Sequence, residues 1–343
     1  MRAELVAVFS TLSEQAFAEL RELSMTQATA HPIKVGLFLP MEEIGGSATR
    51  WSDFKMMAQY AESVGFDSLW LCDHLHYDFS ARAGMSVPPW GLWECWSMLS
   101  AVAAVTTRVE IGAFVACTSF RNPALLAKMA DTVDEVSGGR LILGLGGGYK
   151  ESEFRAFGYP FDHLVDRFEE ALQIIHTLVR TGEIDFQGKY YNAERCELHP
   201  RGPRREGPPI LIGAQHTRML RLAAQYADYW NGFYVGRHVE KLIAAREAVD
   251  AACIKVGRDP KTLQRTALLL VDLPGGYTRP HADALRRFRS GFGGGSLTLN
   301  KPDDLAELLR AFAREGVTLV HIWPEPNTLA TIDALAPVLE SVR

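Results

Sequence analysis

The sequence has little of what nucleic-acid-binding or membrane proteins require. Its 343 residues carry a formal net charge of −5, with 36 Lys and Arg against 41 Asp and Glu. Because the basic residues are dispersed, no broad surface for nucleic acid is expected. No apolar run approaches the roughly 18 residues that a membrane span needs. These absences predict a cytoplasmic protein that binds neither nucleic acid nor a membrane.

Cysteine is scarce as well. The chain has five cysteines at widely separated positions, with no C-x-x-C pair and no histidine pair at metal-ligand spacing. An odd number of scattered cysteines is typical of reduced cytosolic thiols rather than of a disulfide framework. We therefore predict neither a disulfide nor a metal site.

Residues 1–30 are predicted to be an N-terminal extension. They include Glu4, Glu14, Glu19 and Glu22, which a secretory signal peptide would not tolerate. Apolar residues recur there at roughly helical spacing, so the expectation is a surface helix, or a reading frame that truly starts at Met25. Residues 31–343 are predicted to form one domain that carries the chemistry.

From Ile33 onward, short β-branched or aliphatic runs alternate with longer amphipathic stretches, the signature of repeated βα units. Eight such pairs predict a (β/α)8 TIM barrel, with an open doubly wound sheet as the competing fold. The predicted strands are Ile33–Leu39, Ser68–Leu71, Val109–Val115, Arg140–Leu145, Pro209–Ile212, Asp228–Phe233, Thr266–Val271 and Thr318–Trp323.

Two segments are longer than a simple βα unit requires. Glu183–Arg205 contains strand-like patterns around a Gln–Gly turn, which predicts a hairpin inserted after helix four. Leu273–Asn300 is rich in glycine and proline and follows strand seven. A long loop in a compact barrel is commonly a functional cover, so this one is expected on the active face.

In a barrel of this kind, chemistry resides at the C-terminal ends of the strands. Strand two ends in Asp73 and His74. Histidine exchanges a proton near neutral pH, and the adjacent carboxylate could fix its tautomer. A structural histidine is the alternative. Trp230 and Trp323, at the ends of strands six and eight, either line an apolar pocket or belong to the core. We predict that both line the substrate pocket.

Two strand ends offer groups for an anionic ligand. Strand four runs into a glycine-rich stretch, where backbone N–H groups could approach a phosphate or where tight packing alone requires glycine. Strand five is followed by small residues, a hydroxyl and an arginine at a helix start, where Thr217 serves either a phosphate or only as an N-cap. The predicted cofactor-binding residues here are Gly146, Gly147, Gly148, Tyr149, Gly213, Ala214, Gln215, His216, Thr217 and Arg218.

Taken in order, these motifs resemble the luciferase-like flavin-dependent oxidoreductases. The resemblance extends over roughly Ile33 to Trp323 and rests on the segments Asp67–Leu75, Gly139–Gly146, Glu153–Gly158 and Pro209–Gly213. It implies a cofactor ring over strand three, against a non-prolyl cis peptide at Phe114–Val115. It also implies that His74 lies at the reaction centre.

The chain departs from the family's patterns at positions that bear on the cofactor. Luciferases have a phosphate-binding arginine where this chain has Gly147, and the glycine-rich replacement is more similar to that of deazaflavin-dependent members. Sugar-phosphate dehydrogenases of that group have a glutamate at the Tyr149 position and a tryptophan at the Asp78 position. Neither is present, so no glucose-phosphate substrate is predicted.

The resemblance leads to three functional hypotheses. The first is hydride transfer between reduced coenzyme F420, an 8-hydroxy-5-deazaflavin, and a small organic substrate. In this hypothesis His74 supplies or removes the coupled proton, and Asp73 orients the His74 imidazole. The second is an FMN-dependent monooxygenase that uses reduced flavin and O2. The third is a non-catalytic flavin-binding relative. A homodimer is compatible with the sequence but not required by it.

Overall fold

The computed structural model describes residues 33–44, 47–77, 90–234, 238–274 and 297–343. Within this part, Ile33–Val342 forms one compact unit. Its centre is a set of eight long-range parallel strands: β1 Lys34–Phe38, β2 Ser68–Leu71, β3 Glu110–Ala113, β4 Leu141–Gly146, β5 Ile210–Gly213, β6 Tyr229–Tyr234, β7 Gln264–Asp272 and β8 Val317–Glu325.

The eight strands close into a barrel. Their hydrogen-bonded order is β5-β6-β7-β8-β1-β2-β3-β4, and β4 pairs with β5 through Leu143 and Ile210. β8 pairs with β1 in the same parallel sense. A doubly wound sheet would leave two open edges. The closed pairing excludes that alternative, and the predicted TIM barrel is confirmed.

A helix follows each barrel strand along the chain. Three of the eight helices have the bounds that the sequence pattern predicts, Trp51–Val64, Thr217–Tyr226 and Pro302–Arg314, and the others differ by one to three residues at an end. They are α1 Trp51–Val64, α2 Cys95–Val105, α3 Pro123–Ser137, α4 Leu164–Thr181, α5 Thr217–Tyr226, α6 Val239–Lys255, α7 Pro302–Arg314 and α8 Leu329–Val342.

Local sequence explains where α3 begins and ends. Asn122 caps the start, since its side-chain oxygen accepts hydrogen bonds from the backbone N–H groups of Ala124 and Leu125. Pro123 occupies the first turn, where its missing N–H is not needed. At the other end Gly138 has φ 67°, the left-handed conformation that stops a helix. Such signals explain why the helix bounds could be predicted closely.

The barrel interior is filled by side chains that alternate with those facing the helices. Trp70 is the largest of them: it is fully buried, and its Nε1 donates to Ser68 Oγ at 2.8 Å. It fits because Gly36 and Gly112 stand on the adjacent strands, where any Cβ would collide with its ring. The interior is therefore a packed core, and the free space of the barrel lies at its C-terminal end.

The predicted hairpin is present after α4. Glu183–Gln187 and Asn192–Glu197 pair antiparallel. The predicted loop Leu273–Asn300 lies mostly outside the described residues, as do the N-terminal residues 1–32 and most of the stretch after strand two. None of the helices in the described part of the chain is long and apolar enough to cross a membrane.

Candidate active site

A cavity of about 680 Å³ opens at the C-terminal ends of the barrel strands. Its walls come from all eight barrel strands or the residues that follow them, and from the starts of α4 and α5. Of the residues predicted for the site, it is lined by Asp73, His74, Phe114, Val115, Gly146, Gly147, Gly148, Tyr149, Gly213, Ala214, Gln215, His216 and Trp323. The cavity thus brings together predicted residues from the ends of five separate strands.

His74 is held by a carboxylate that the sequence reasoning did not assign. Its Nδ1 lies 2.9 Å from Glu153 Oε2, and the side chains are 20% and 1% exposed, respectively. The second oxygen of Glu153 accepts hydrogen bonds from the backbone N–H groups of Leu75 at 2.7 Å and His76 at 3.2 Å. One buried carboxylate therefore holds both the imidazole ring and the backbone beyond it.

The electrostatics of Glu153 follow from these contacts. Burial by itself would raise its pKa, but the hydrogen bonds from His74 and from the two backbone N–H groups outweigh burial and leave the pKa below its usual value. Glu153 is consequently ionised at neutral pH. It belongs to a short helix, Glu151–Phe157, that follows β4.

Asp73 does not orient His74, contrary to the prediction. Its two carboxylate oxygens accept hydrogen bonds from Arg121 Nη1 at 2.6 Å and Nη2 at 2.9 Å, and one of them also accepts from the backbone N–H of Cys117 at 2.8 Å. Arg121 reaches on to Glu94, which caps α2. The carboxylate is thus directed to the loop after β3, and its role is to hold that loop against β2.

The floor of the cavity is apolar. The peptide bond between Phe114 and Val115 is cis, as the resemblance implied. The Phe114 ring stands edge-on to Phe38 at 5.3 Å and to Trp70 at 5.9 Å between ring centroids. His321 packs beneath it at 4.6 Å. A planar ligand would therefore meet a surface supported by closely packed aromatic rings.

The glycine-rich stretch serves two purposes. A Cβ at Gly146 would lie 2.6 Å from Val115 Cγ2, and one at Gly148, where φ is +76°, would lie 2.6 Å from Cys117 Sγ. Packing alone requires glycine at these two positions. At Gly147 the nearest atom is Phe168 Cβ at 3.4 Å, and a Cβ at Gly213 would meet nothing within 4 Å. Gly147 and Gly213 therefore leave backbone open to a ligand.

The start of α5 contributes fewer residues to the cavity lining than predicted. His216 is the N-cap residue and Thr217 the first helical residue, and Thr217 does not line the cavity. Arg218 is turned away: its guanidinium pairs with Asp166 at 2.5 Å and with Glu169 at 2.6 Å. Because these acidic side chains project from α4, they draw Arg218 to the outer surface. The structure thus gives Arg218 no contact with the cavity.

The two tryptophans differ in their surroundings. Trp323 lines the cavity and stacks on Phe38 with centroids 5.6 Å apart. Trp230 is 1% exposed and donates from Nε1 to the Ala214 carbonyl at 2.9 Å. It packs among core side chains rather than at the cavity, so its prediction as a pocket residue is corrected.

Thiol chemistry does not fit this site. Cys117 lines the cavity, and burial, reinforced by the nearby Asp73 carboxylate, raises its pKa to about 12. Burial also raises the pKa of Cys72. Both cysteines are therefore neutral thiols at physiological pH and poor nucleophiles. The imidazoles among the described cavity residues belong to His74 and His216, and this is the side chain that exchanges a proton near neutral pH.

The fold and the site together define a TIM-barrel protein with a cofactor-sized cavity at its strand ends. The family model of luciferase-like monooxygenases matches residues 33–318. The chain belongs to this family, which confirms the family predicted from the sequence.

Two proteins of similar sequence are a monooxygenase and a reductase. Pyrimidine monooxygenase RutA of Rhizobium rhizogenes is 36% identical over 172 residues, which make up 48% of this chain and 47% of that protein. The 5,10-methylenetetrahydromethanopterin reductase of Archaeoglobus fulgidus is 30% identical over 210 residues, or 61% of this chain and 57% of that one. The alignments thus span about half to three-fifths of these relatives.

Solved structures support the fold. An F420-dependent secondary alcohol dehydrogenase in complex with an F420–acetone adduct superposes with a TM-score of 0.75 at 18% identity, over 91% of this chain and 99% of that one. The long-chain alkane monooxygenase LadA superposes with a TM-score of 0.70 at 18% identity, over 90% and 91%. At this level of identity the likeness establishes the architecture alone.

Proposed function

We propose that the chain is an oxidoreductase that transfers a hydride between coenzyme F420 and a small organic substrate, with His74 moving the coupled proton. The observation that carries the proposal is the placement of His74 in the cavity wall at the end of β2, with Nδ1 bound to Glu153. Within the described residues, Nε2 has no hydrogen-bond partner. It is therefore available to a substrate hydroxyl or carbonyl.

The cavity suits a tricyclic cofactor. Its volume of about 680 Å³ falls in the range of roughly 300–1,000 Å³ usual for ligand sites. Phe114 and Val115 would lie against the ring, and the open backbone at Gly147 and Gly213 would face the phosphate side. When bound, F420 supplies or accepts a hydride; the protein supplies orientation and the proton.

The charges of the cavity favour F420 over FMN. FMN ends in a phosphate monoester of about two negative charges, whereas the phosphate of F420 is a diester with one. Among the described residues that line the cavity there is no lysine or arginine, and Arg218 is paired with Asp166 and Glu169. The described lining thus offers a phosphate no cationic side chain, while backbone N–H groups could hold a monoanion. The ammonium group of Lys150, which follows Tyr149, lies over the Tyr77 ring at 4.7 Å from its centroid.

The other cavity residues have supporting roles in this proposal. Asp73 and Arg121 keep the loop after β3 in place beneath the cofactor ring. Trp323 and Tyr149 line the substrate side. Tyr149 stands edge-on to His74 with centroids 5.6 Å apart, so a substrate at the imidazole would also touch this ring.

An FMN-dependent monooxygenase is the second candidate, because RutA of R. rhizogenes is similar over half of this chain. A deazaflavin has carbon at position five and does not support the oxygen chemistry that a flavin does. The identity of the cofactor therefore decides the reaction class. A non-catalytic flavin-binding relative remains the third alternative.

Titration of the purified protein with F420 and, separately, with FMN tests the proposal. We expect F420 to bind at micromolar concentration and FMN at least about tenfold more weakly, since an unpaired phosphate charge is costly to bury. Tighter binding of FMN, with O2 consumption when the flavin is reduced, would establish the monooxygenase instead. Binding without any absorbance change in the presence of alcohols, ketones or oxidants would favour the non-catalytic alternative.

A further inference from the structure

We propose that Glu153 is the positioning residue of the site and that it fixes His74 in the tautomer with hydrogen on Nδ1. An ionised carboxylate accepts hydrogen bonds and donates none. Because Glu153 Oε2 lies 2.9 Å from His74 Nδ1, the hydrogen must reside on Nδ1. Nε2 then presents its lone pair to the cavity, as a proton acceptor requires.

The second oxygen of Glu153 makes this arrangement rigid. Glu153 Oε1 accepts hydrogen bonds from the backbone N–H groups of Leu75 and His76, the two residues that follow His74. Rotation of the carboxylate would therefore break bonds on both oxygens. The rest of the imidazole is enclosed by Tyr77 and Tyr149, at centroid distances of 4.7 and 5.6 Å. The aromatic rings limit the tilt of the imidazole, and Glu153 sets its rotation.

Burial makes the pairing specific. Glu153 is 1% exposed, so little water competes for its carboxylate oxygens. Its charge also balances the imidazolium that forms whenever His74 holds an additional proton. Among the described residues, His74 and Glu153 form an ion pair only with each other, and Asp73, the adjacent acid, is paired with Arg121. The catalytic histidine thus depends on a residue 79 positions away.

The variant Glu153→Gln separates the two tasks of the carboxylate. The glutamine oxygen can still accept from Leu75 and His76, but its NH2 group would face Nδ1. His74 would then turn to the other tautomer, with hydrogen on Nε2. Glu151→Gln is the matched control, because Glu151 lies on the same short helix, is half exposed and pairs only with Arg155. It should behave as the wild type.

The first readout is nitrogen NMR of the protein without cofactor, which is independent of the proposed function. His74 is assigned as the histidine whose signals disappear in His74→Gln. We expect the Nδ1–H tautomer in the wild type and in Glu151→Gln, and the Nε2–H tautomer in Glu153→Gln. A wild-type His74 in the Nε2–H form would overturn the inference, and this measurement does not require the Glu153 variant to fold.

The second readout is kinetic and rests on the proposed function. With F420 and a substrate, Glu153→Gln should lower kcat by about 10²-fold or more while KM changes little, because the wrong tautomer impairs proton transfer and not binding. In the direction of substrate oxidation, where oxidised F420 takes the hydride and neutral His74 accepts the proton, the acid limb of the pH–rate profile should move to lower pH. An unchanged kcat and profile would overturn the inference. If neither cofactor turns over, the NMR result still decides the role of Glu153, while the proposed function fails.

Discussion

The two sides of the cavity are built in different ways. On the His74 side, the carboxylates of Asp73 and Glu153 are buried, and they accept hydrogen bonds from Arg121 and His74, respectively. On the opposite side, at the end of β5, Gly213 offers open backbone and Arg218 is directed outward. The chain thus preorganises the His74 side itself, whereas the other side offers mainly backbone.

The largest expected effect is a loss of folding stability when an ion pair on the His74 side is broken. Arg121→Ala would leave the Asp73 carboxylate, which is 1% exposed, without its bidentate partner. Removing one member of a buried ion pair costs about 3–5 kcal/mol. Chemical denaturation should therefore show a loss of stability of this size. Lys in place of Arg121 should recover only part of it, because it cannot pair with both oxygens. A loss below about 1 kcal/mol for the alanine variant would show that the pair is not structural.

His74→Ala should separate chemistry from binding. Removal of a proton-transfer group lowers turnover by about 10²-fold or more. The affinity for cofactor should stay within about tenfold, since the ring is expected to rest on Phe114 and Val115. Steady-state kinetics and cofactor titration measure the two quantities. His76→Ala serves as the control, because His76 is close in sequence but does not line the cavity. Unchanged turnover in His74→Ala would contradict the catalytic assignment.

The next prediction concerns the phosphate side. Gly147→Asp would place a carboxylate beside the expected phosphate and should weaken cofactor binding by at least about tenfold through like-charge repulsion. Gly147→Ala is the matched control, because the nearest atom to its Cβ would be 3.4 Å away. Normal binding by the aspartate variant in calorimetry would place the phosphate elsewhere. Gly148→Ala, where φ is +76°, should instead unfold more easily.

A smaller effect, on the pH dependence of folding stability, is expected from a histidine in the barrel interior. His321 is fully buried, and burial lowers its pKa from 6.5 to about 3. Between these values the unfolded chain binds a proton that the folded chain does not, so stability falls as the pH falls below 6.5. The contribution is at most about 1.4 kcal/mol per pH unit. His321→Leu should make the acid slope shallower by up to this amount, as measured by denaturation at pH 7 to 5. An identical slope would contradict the lowered pKa.

The smallest effect is expected for Arg218→Ala. Exposed ion pairs contribute little, and Arg218 does not touch the cavity. Cofactor affinity should therefore change by less than about twofold. A large loss of affinity in titration would mean that Arg218 leaves Asp166 and Glu169 to bind the phosphate, and the contrast between the two sides of the cavity would then disappear.

Most of the architecture could be predicted, whereas parts of the site could not. The bounds of α1, α5 and α7 follow from local periodicity and end signals, which act over a few residues. His74 and Gly147 could be placed at strand ends for the same reason. Glu153 begins the segment Glu153–Gly158 on which the family resemblance rests, but the sequence pattern does not reveal that its carboxylate contacts His74. A hint was available, since an acidic residue preceding Phe154 in a short helix after β4 must lie at the same barrel end as His74.

The errors have a common cause. Asp73 adjoins His74 in sequence, yet successive residues leaving a strand point in different directions, and Asp73 reaches Arg121 instead. Arg218 stands at a helix start suited to phosphate, but acidic residues on α4 draw it away. Trp230 was equally compatible with core and cavity. In each case the deciding contact comes from a residue that is distant in sequence or on another element.

The sequence is sufficient for the order of strands and helices and for the set of residues at the strand ends, because each depends on hydrophobic period and local turn chemistry. Closure of the sheet into a barrel was decided by the pairing of β4 with β5, which are parallel strands joined through a helix. The tertiary structure alone decides which of those residues touch. His74 and Glu153 meet because β2 and β4 both direct their C-terminal ends to one rim of the barrel. Hydrogen bonds form across that rim over distances of angstroms, irrespective of separation along the chain.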